Sequence, residues 1–129
     1  MIHFLTVHHT GRFNRYDPLE WVELQNRFIQ QYAPDSYVWA CVNGAEEVRE
    51  RAKKYFYKTF DFDPVSEGES RHELIKAGVH TSHSLKLHHL LDKVREETDP
   101  LDIIVFLDSD AWPVGDLFAA RLLNLMSRF

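Results

Sequence analysis

The sequence predicts an α/β protein, a three-layer sandwich in which helices enclose a mainly parallel β-sheet. Short apolar segments rich in β-branched residues alternate with longer segments of helical periodicity, in the order β-α-β-α-β-α-β. The last short segment, Ile103 to Leu107, has five consecutive apolar residues, which is typical of a strand covered on both faces. Crossover connections between parallel strands produce this alternation.

The first strand and the first helix are predicted before Pro34. Ile2 to His9 is short, apolar and β-branched, and it ends at a turn, as strands do. Asp17 and Pro18 supply a helix start, because Asp is a favoured N-cap and Pro suits the first helical position. Apolar residues then follow at helical spacing: Trp21, Leu24 and Phe28.

A second strand, a second helix and a third strand follow. Ser36 to Val42 is the predicted strand, and Asn43 is in position to cap the next helix. The buried side of that helix is expected to be an apolar stripe: Val48, Ala52, Tyr55 and Phe56. Lys58 to Phe62 is the third short strand, and the polar segment from Asp63 to Gly78 is predicted to be a loop.

Two further helices are predicted in the second half of the chain. The helix from Ser82 to Glu97 is marked by apolar residues at helical spacing: Leu87, Leu90, Leu91 and Val94. The tail from Leu117 to Phe129 is a strongly apolar helix candidate. Its apolar surface is expected to pack against this domain, against a second copy in a homodimer, or against further sequence.

Length and composition limit the classes of function. A chain of 129 residues is expected to form one domain, and its net charge of −5 gives no broad attraction to nucleic acid or to an anionic membrane. The apolar runs are shorter than the ~20 residues of a membrane span, and no secretory signal is recognised. The single cysteine, Cys41, is expected to be a buried thiol, so a cytoplasmic protein is predicted.

Asp108 and Asp110 directly follow the strand Ile103 to Leu107. In open α/β sheets, ligands bind beyond the carboxyl ends of the strands. Two carboxylates one residue apart point the same way where the backbone stays extended, and they repel each other unless a cation lies between them. Oxygen ligands suit Mg²⁺ or Mn²⁺ shared with a diphosphate, so a metal site is predicted; an ordinary acidic turn is the alternative.

The segment KLHHLLDKVREETDPLDIIVFLDSDAWPVGDL resembles GT-A-type glycosyltransferases, in which a helix, an acidic loop, a strand and a DxD motif follow in this order. The opening strand, IHFLTVHHTGR, is also similar to the first strand of that family. The resemblance implies a Rossmann-like sandwich of the nucleotide-diphospho-sugar transferase type and a hexosyltransferase activity. It further implies that residues 1–129 form a single nucleotide-sugar-binding domain that lacks the acceptor-binding C-terminal half.

The same resemblance implies roles for individual residues. Asp110 would bind the Mn²⁺ or Mg²⁺ directly, and Asp108 would contact the metal or the ribose of a nucleotide-diphospho-sugar donor. Further donor contacts would come from the ends of the first two strands and from the third helix: His8, His9, Thr10, Asn43 and Lys86. Capping of a helix by Asn43 and a solvated position for Lys86 are the alternatives. The sequence assigns no catalytic residue and no acceptor.

Aromatic and imidazole side chains offer other candidate sites. Trp112 would either stack on a sugar or base or fill space in the fold, whereas Trp21 and Trp39 are expected to lie in the core. A dedicated zinc site is not favoured, because the close histidines His80 and His83 are three apart and no HExxH pattern is present.

Three other functions remain open. A Toprim-type nucleic-acid enzyme also has DxD after a strand, but it places a Glu after its first strand, where this chain reads His8-His9-Thr10-Gly11; the negative charge also disfavours this class. A phosphatase of haloacid-dehalogenase type needs most of its domain after the DxD motif. A non-catalytic nucleotide-sugar-binding module shares every residue described above and lacks only turnover.

Overall fold

The computed structural model describes residues 1–10, 19–62 and 81–128. Within them the chain forms four strands: β1 (Ile2–His9), β2 (Tyr37–Asn43), β3 (Lys58–Phe60) and β4 (Ile103–Phe106). The helices are α1 (Glu20–Tyr32), α2 (Glu46–Ala52), α3 (Thr81–Arg95) and α4 (Phe118–Met126), and a 3-10 turn, Lys53–Tyr55, follows α2. No helix in these ranges is long and apolar enough to cross a membrane.

The strands form one parallel sheet in the order β3-β2-β1-β4. The central strand is β1, which pairs with β2 from His3 to His9 and with β4 from Ile2 to Leu5. The chain leaves β1 toward β2 and returns later on the other side of β1. This reversal creates a switch point between β1 and β4, and open α/β sheets bind ligands beyond the carboxyl ends of the strands at such points.

Helices cover both faces of the sheet. One face is filled by side chains of β1, β2 and α3: Leu5, Val7, Trp39, Cys41, Leu90 and Val94. The other is filled by side chains of β1, β2 and α1: Ile2, Phe4, Ile29, Ala33 and Val38. On this second face α4 packs through Phe118 and Leu122, and α2 packs through Ala52. The predicted α/β sandwich with a parallel sheet is therefore confirmed.

Most predicted element bounds agree with the structure within two residues. β1 has the predicted bounds, and α1 ends at Tyr32, shortly before Pro34. The apolar stripe predicted for the second helix packs on the sheet as expected, but α2 ends at Ala52, so Tyr55 lies in the 3-10 turn and Phe56 after it. The predicted helix start at Asp17 and Pro18 and the predicted loop from 63 to 78 lie outside the described residues.

The prediction that the strand at Ile103 to Leu107 is covered on both faces holds only in part. Ile104 packs in one core and Ile103, Val105 and Leu107 pack in the other, but β4 is an outer strand and Phe106 is 55% exposed. The fully buried strand is β1, in which the residues from Ile2 to His8 are all buried. The neighbours of a strand are fixed by topology, and a run of apolar residues does not reveal them.

The two buried histidines of β1, His3 and His8, are tolerated because their hydrogen bonds are satisfied inside the fold, whereas the hydroxyl of the buried Thr6 has no hydrogen-bond partner. The indole Nε1 of Trp39 donates to Nδ1 of His3 at 3.1 Å, so Nδ1 carries no proton. The protonated Nε2 of His3 then donates to Asp102 at 3.2 Å. The buried imidazole of His3 thus connects β2 with the residue just before β4, on the two sides of β1.

Two side-chain predictions are also wrong. β2 continues through Asn43, Gly44 turns the chain with a φ of 133°, and α2 begins only at Glu46, so Asn43 does not cap that helix. Trp39 is buried as predicted, but Trp21 is 52% exposed. The buried residues of α1 begin one position later and recur at helical spacing: Val22, Gln25 and Ile29.

Candidate functional site

The carboxyl ends of the parallel strands lie at one edge of the sheet and carry most of the predicted site residues. β1 ends at His9, β2 ends at Asn43, and Asp108 follows shortly after β4. Because β4 is adjacent to β1, Asp108 and His9 lie on the two sides of the switch point. The structure therefore brings the acidic motif to the place where α/β sheets bind ligands.

The acidic motif forms a tight turn. Pairing with β1 continues to Leu107, whose N–H donates to the carbonyl of Leu5 at 2.9 Å. The N–H of Ala111 then donates to the carbonyl of Asp108 at 3.0 Å, which closes a β-turn over residues 108–111. The extended backbone that the sequence argument assumed for this motif is thus wrong. Asp108 and Asp110 are the first and third residues of this turn, and both are exposed.

A glutamine of α1 holds both ends of this turn. The side-chain Nε2 of Gln25 donates to the carbonyl of Asp108 at 3.0 Å and to the carbonyl of Ala111 at 2.9 Å. Its Oε1 accepts a hydrogen bond from Nε2 of His8, 3.1 Å away. Gln25 is 1% exposed. Sequence reasoning missed this residue, although a polar side chain between Val22 and Ile29 on the buried face of α1 was a signal.

His8 and His9 point to opposite faces of the sheet, as neighbours in a strand do. His8 lies on the α1 face, buried against Gln25 and the ring of Phe56, whose centroid is 5.7 Å away. Burial lowers the pKa of His8, and the hydrogen bond with Gln25 opposes that shift only in part. His9 is exposed, and its ring lies 6.3 Å from that of His83 at the start of α3.

Thr10 and Asn43 connect the ends of β1 and β2. The backbone N–H of Thr10 donates to the carbonyl of Asn43 at 3.0 Å, and its hydroxyl donates to the same oxygen. The thiol of Cys41, which is buried and forms no disulfide, lies 3.8 Å from the side-chain oxygen of Asn43. Both predicted residues therefore lie beside each other at the carboxyl edge.

Lys86 is buried, with only 6% of its surface exposed. The alternative of a solvated helix lysine is therefore wrong. It lies one turn after His83 on α3, and α3 packs on β1 and β2. Lys86 is therefore part of the packing of α3 on the sheet.

Trp112, two residues after the acidic motif, packs against α1. Its ring stacks on Trp21 at a centroid distance of 6.0 Å and on Phe28 at 5.4 Å, with interplanar angles of 27° and 20°. The indole therefore lies between two aromatic rings that are two helical turns apart. Of the two roles considered for Trp112, packing is the one that these contacts favour.

The residues present fit a metal that is shared with a ligand rather than enclosed by protein. Within the described ranges, no three His, Cys, Asp or Glu side chains are grouped so that they could hold an ion alone. Asp108 and Asp110 offer two exposed carboxylates, and Mg²⁺ commonly binds one or two carboxylates together with substrate phosphates and water. Ligand oxygens or water would complete the coordination.

A shallow pocket of about 200 Å³ lies elsewhere on the same edge, between α2 and β3. Its lining includes Arg49, Lys53 and Asp61, and Arg49 forms an ion pair with Asp61. The pocket is below the range of about 300 to 1,000 Å³ that is usual for small-molecule sites. Since its charged lining is already paired, it offers a weaker candidate than the switch point.

Comparison of the chain with models of protein families, with curated proteins and with solved structures finds no match. We therefore infer the function from the geometry of the described strand ends and of the turn at residues 108–111.

Proposed function

We propose that the chain binds a nucleotide-diphospho-sugar at the carboxyl edge of its sheet, as the nucleotide-binding half of a GT-A-type glycosyltransferase does. One observation carries the proposal: Asp108 and Asp110 are exposed on a tight turn directly beside the switch point between β1 and β4. This is the position at which ligands of open α/β sheets bind. Two adjacent carboxylates there would repel an anionic ligand unless a cation accompanied it.

In this proposal Asp110 binds Mn²⁺ or Mg²⁺ and Asp108 contacts the same ion or the ribose. When bound, the ion neutralises charge on the diphosphate. The chain contributes the two carboxylates and a turn whose backbone is fixed by Gln25. Because the turn is held from α1, the carboxylates need little ordering when the ligand arrives, which favours binding.

The remaining donor contacts follow from the neighbouring strand ends. Thr10 and Asn43, which are bonded to each other, lie at the ends of β1 and β2, where the base and ribose would bind. Lys86 and His9 lie on the α3 side of the sheet and are the proposed contacts of the phosphates. We assign His8 a supporting role, since its imidazole is 3% exposed and bonded to Gln25.

A binding module without transfer activity is the second candidate. The observation that favours it is that every contact described at the strand ends and at the acidic turn would serve binding of the donor alone. Both candidates require the same binding, so turnover alone separates them.

Calorimetry with Mn²⁺ and UDP, GDP, CDP or ADP tests the binding that both candidates share. We expect metal-dependent binding of at least one nucleotide and its loss in Asp110→Ala, because the variant removes a direct ligand. Asp116→Ala is the matched control, since it removes an exposed Asp just after the turn. The circular dichroism of both variants should equal that of the parent. Unchanged binding by Asp110→Ala would show that this carboxylate holds no metal.

A hydrolysis assay with the corresponding nucleotide-sugar then separates the two candidates. Metal-dependent release of sugar that is lost in Asp110→Ala would support the transferase. Binding of the nucleotide-sugar without hydrolysis or transfer would support the module.

A further inference from the structure

We propose that Gln25 is a positioning residue that fixes the direction of the Asp108 and Asp110 side chains by holding the turn between them. The inference rests on the proposed function, because it assigns these carboxylates a ligand. It goes beyond that function because Gln25 lies on α1, 83 residues before Asp108. The side-chain amide of Gln25 is hydrogen-bonded to His8, Asp108 and Ala111.

The two donors of one amide group reach the first and last residues of the turn. Both N–H bonds of Gln25 Nε2 are used, one by the carbonyl of Asp108 and one by the carbonyl of Ala111. Two attachment points resist rotation of the turn about the strand axis better than one does. The carbonyl of Asp108 also accepts a hydrogen bond from the N–H of Ala111, so the bonds from Gln25 and the bond that closes the turn stabilise each other.

The orientation of this amide is fixed by the two backbone carbonyls, which can only accept hydrogen bonds. The Nε2–H of His8 donates to Gln25 Oε1 at 3.1 Å. If the amide were flipped, its oxygen would face two carbonyl oxygens and its NH₂ group would face the imidazole N–H. Both hydrogen bonds to the carbonyls would be lost inside the fold, where an unpaired polar group costs about 1 to 3 kcal/mol. β1 thus stabilises the side chain of Gln25 through the hydrogen bond from His8.

A second contact of α1 with the same loop is aromatic. Trp112 stacks between Trp21 and Phe28, which lie four residues before and three residues after Gln25. Residues at these spacings lie on one face of a helix. A single face of α1 therefore binds the loop at the turn and again immediately after it. Such double attachment is expected where two carboxylates must keep one separation for an ion.

The test compares Gln25→Leu with Gln30→Leu, which changes an exposed glutamine on the same helix. Hydrogen exchange of the Ala111 amide reports the turn without any ligand. Calorimetry of Mn²⁺ in the presence of inorganic pyrophosphate reports the carboxylates. In Gln25→Leu we expect exchange about tenfold faster, as fits the loss of one or two hydrogen bonds. We expect Mn²⁺ affinity to fall by about 10- to 100-fold, the usual effect of losing support behind a metal ligand.

The control should match the parent in both measurements. Unchanged exchange and unchanged affinity in a folded Gln25→Leu variant would overturn the inference. If that variant does not fold, exchange of the Gln25 side-chain NH₂ in the parent decides: it should be much slower than in Gln30 and Gln31. Equal rates at the three side chains would overturn the inference.

The two proposals fail separately. Suppose that Asp110→Ala loses binding while Gln25→Leu matches the parent in exchange and in Mn²⁺ affinity. This result would refute the positioning role of Gln25 and leave the proposed function standing. Faster exchange in Gln25→Leu together with parent-like binding in Asp110→Ala would refute the metal role of the acidic turn, and with it the positioning role.

Discussion

His8 is a buried titratable side chain that supports the helix face holding the acidic turn. Burial lowers its pKa below the ordinary value of 6.5, and its bond with Gln25 offsets this only in part. In the unfolded chain the imidazole takes up a proton near pH 6.5, whereas in the folded protein it stays neutral to lower pH. The contribution of His8 to stability is therefore full above pH 6.5 and falls as the pH drops from there toward the folded pKa.

We expect His8→Gln to reduce this acid sensitivity. A glutamine keeps N–H donors for Gln25 Oε1 but does not titrate. In urea unfolding at pH 7.5 and 5.5, titration of His8 should cost the parent up to about 1.4 kcal/mol per pH unit, and the variant should lose correspondingly less. His88→Gln is the control, because His88 is exposed on α3. An equal loss in the parent and in His8→Gln would contradict the assigned pKa direction.

At the scale of elements, the connection from β2 to α2 depends on one glycine. Gly44 has a φ of 133°, a conformation that side chains with a Cβ rarely adopt. We expect Gly44→Ala to lower the free energy of unfolding by about 1 to 3 kcal/mol. Ala45→Ser is the control, since Ala45 has an ordinary φ of −61° at the N-cap of α2, where serine is favoured. Parent-like unfolding of Gly44→Ala would show that the turn relaxes without cost.

The strands and helices could be predicted from the sequence because each has a local apolar period. β1 is recognisable from its own residues, and α3 from the spacing of its leucines. The order of the strands could not be predicted in this way. The most apolar segment, at Ile103 to Leu107, became the outer strand, while β1 became central with His3 and His8 inside it. Their burial depends on partners that only the folded chain supplies.

The site could be predicted only as far as its exposed acidic pair. Asp108 and Asp110 were found because the end of a strand in an α/β sheet is a general place for ligands. Gln25 was not found, because its partners are two backbone carbonyls far away in the chain. The stacking of Trp112 on α1 depends in the same way on the path of the loop.

At the scale of the whole molecule, apolar side chains remain exposed around the outer strand and the last helix. α4 packs on the sheet through Phe118 and Leu122. Other apolar residues of β4, α4 and the adjoining loops stay largely exposed: Leu101, Phe106, Val114, Leu117, Leu123, Leu125 and Met126. The exposed residues of α4 itself, Leu123, Leu125 and Met126, offer an apolar helix surface of a kind that is typical of association.

We expect a homodimer through α4, because a twofold axis would let the exposed leucines of each copy cover those of the other. Sedimentation equilibrium should show reversible dimerisation. Leu123→Glu should raise the dimer Kd at least about tenfold, since a carboxylate would lose water in an apolar contact. Ser84→Glu is the charge-matched control, because Ser84 is exposed on α3, across the sheet from α4. A parent that stays monomeric at every concentration, or equal effects of both substitutions, would exclude a dimer through this helix.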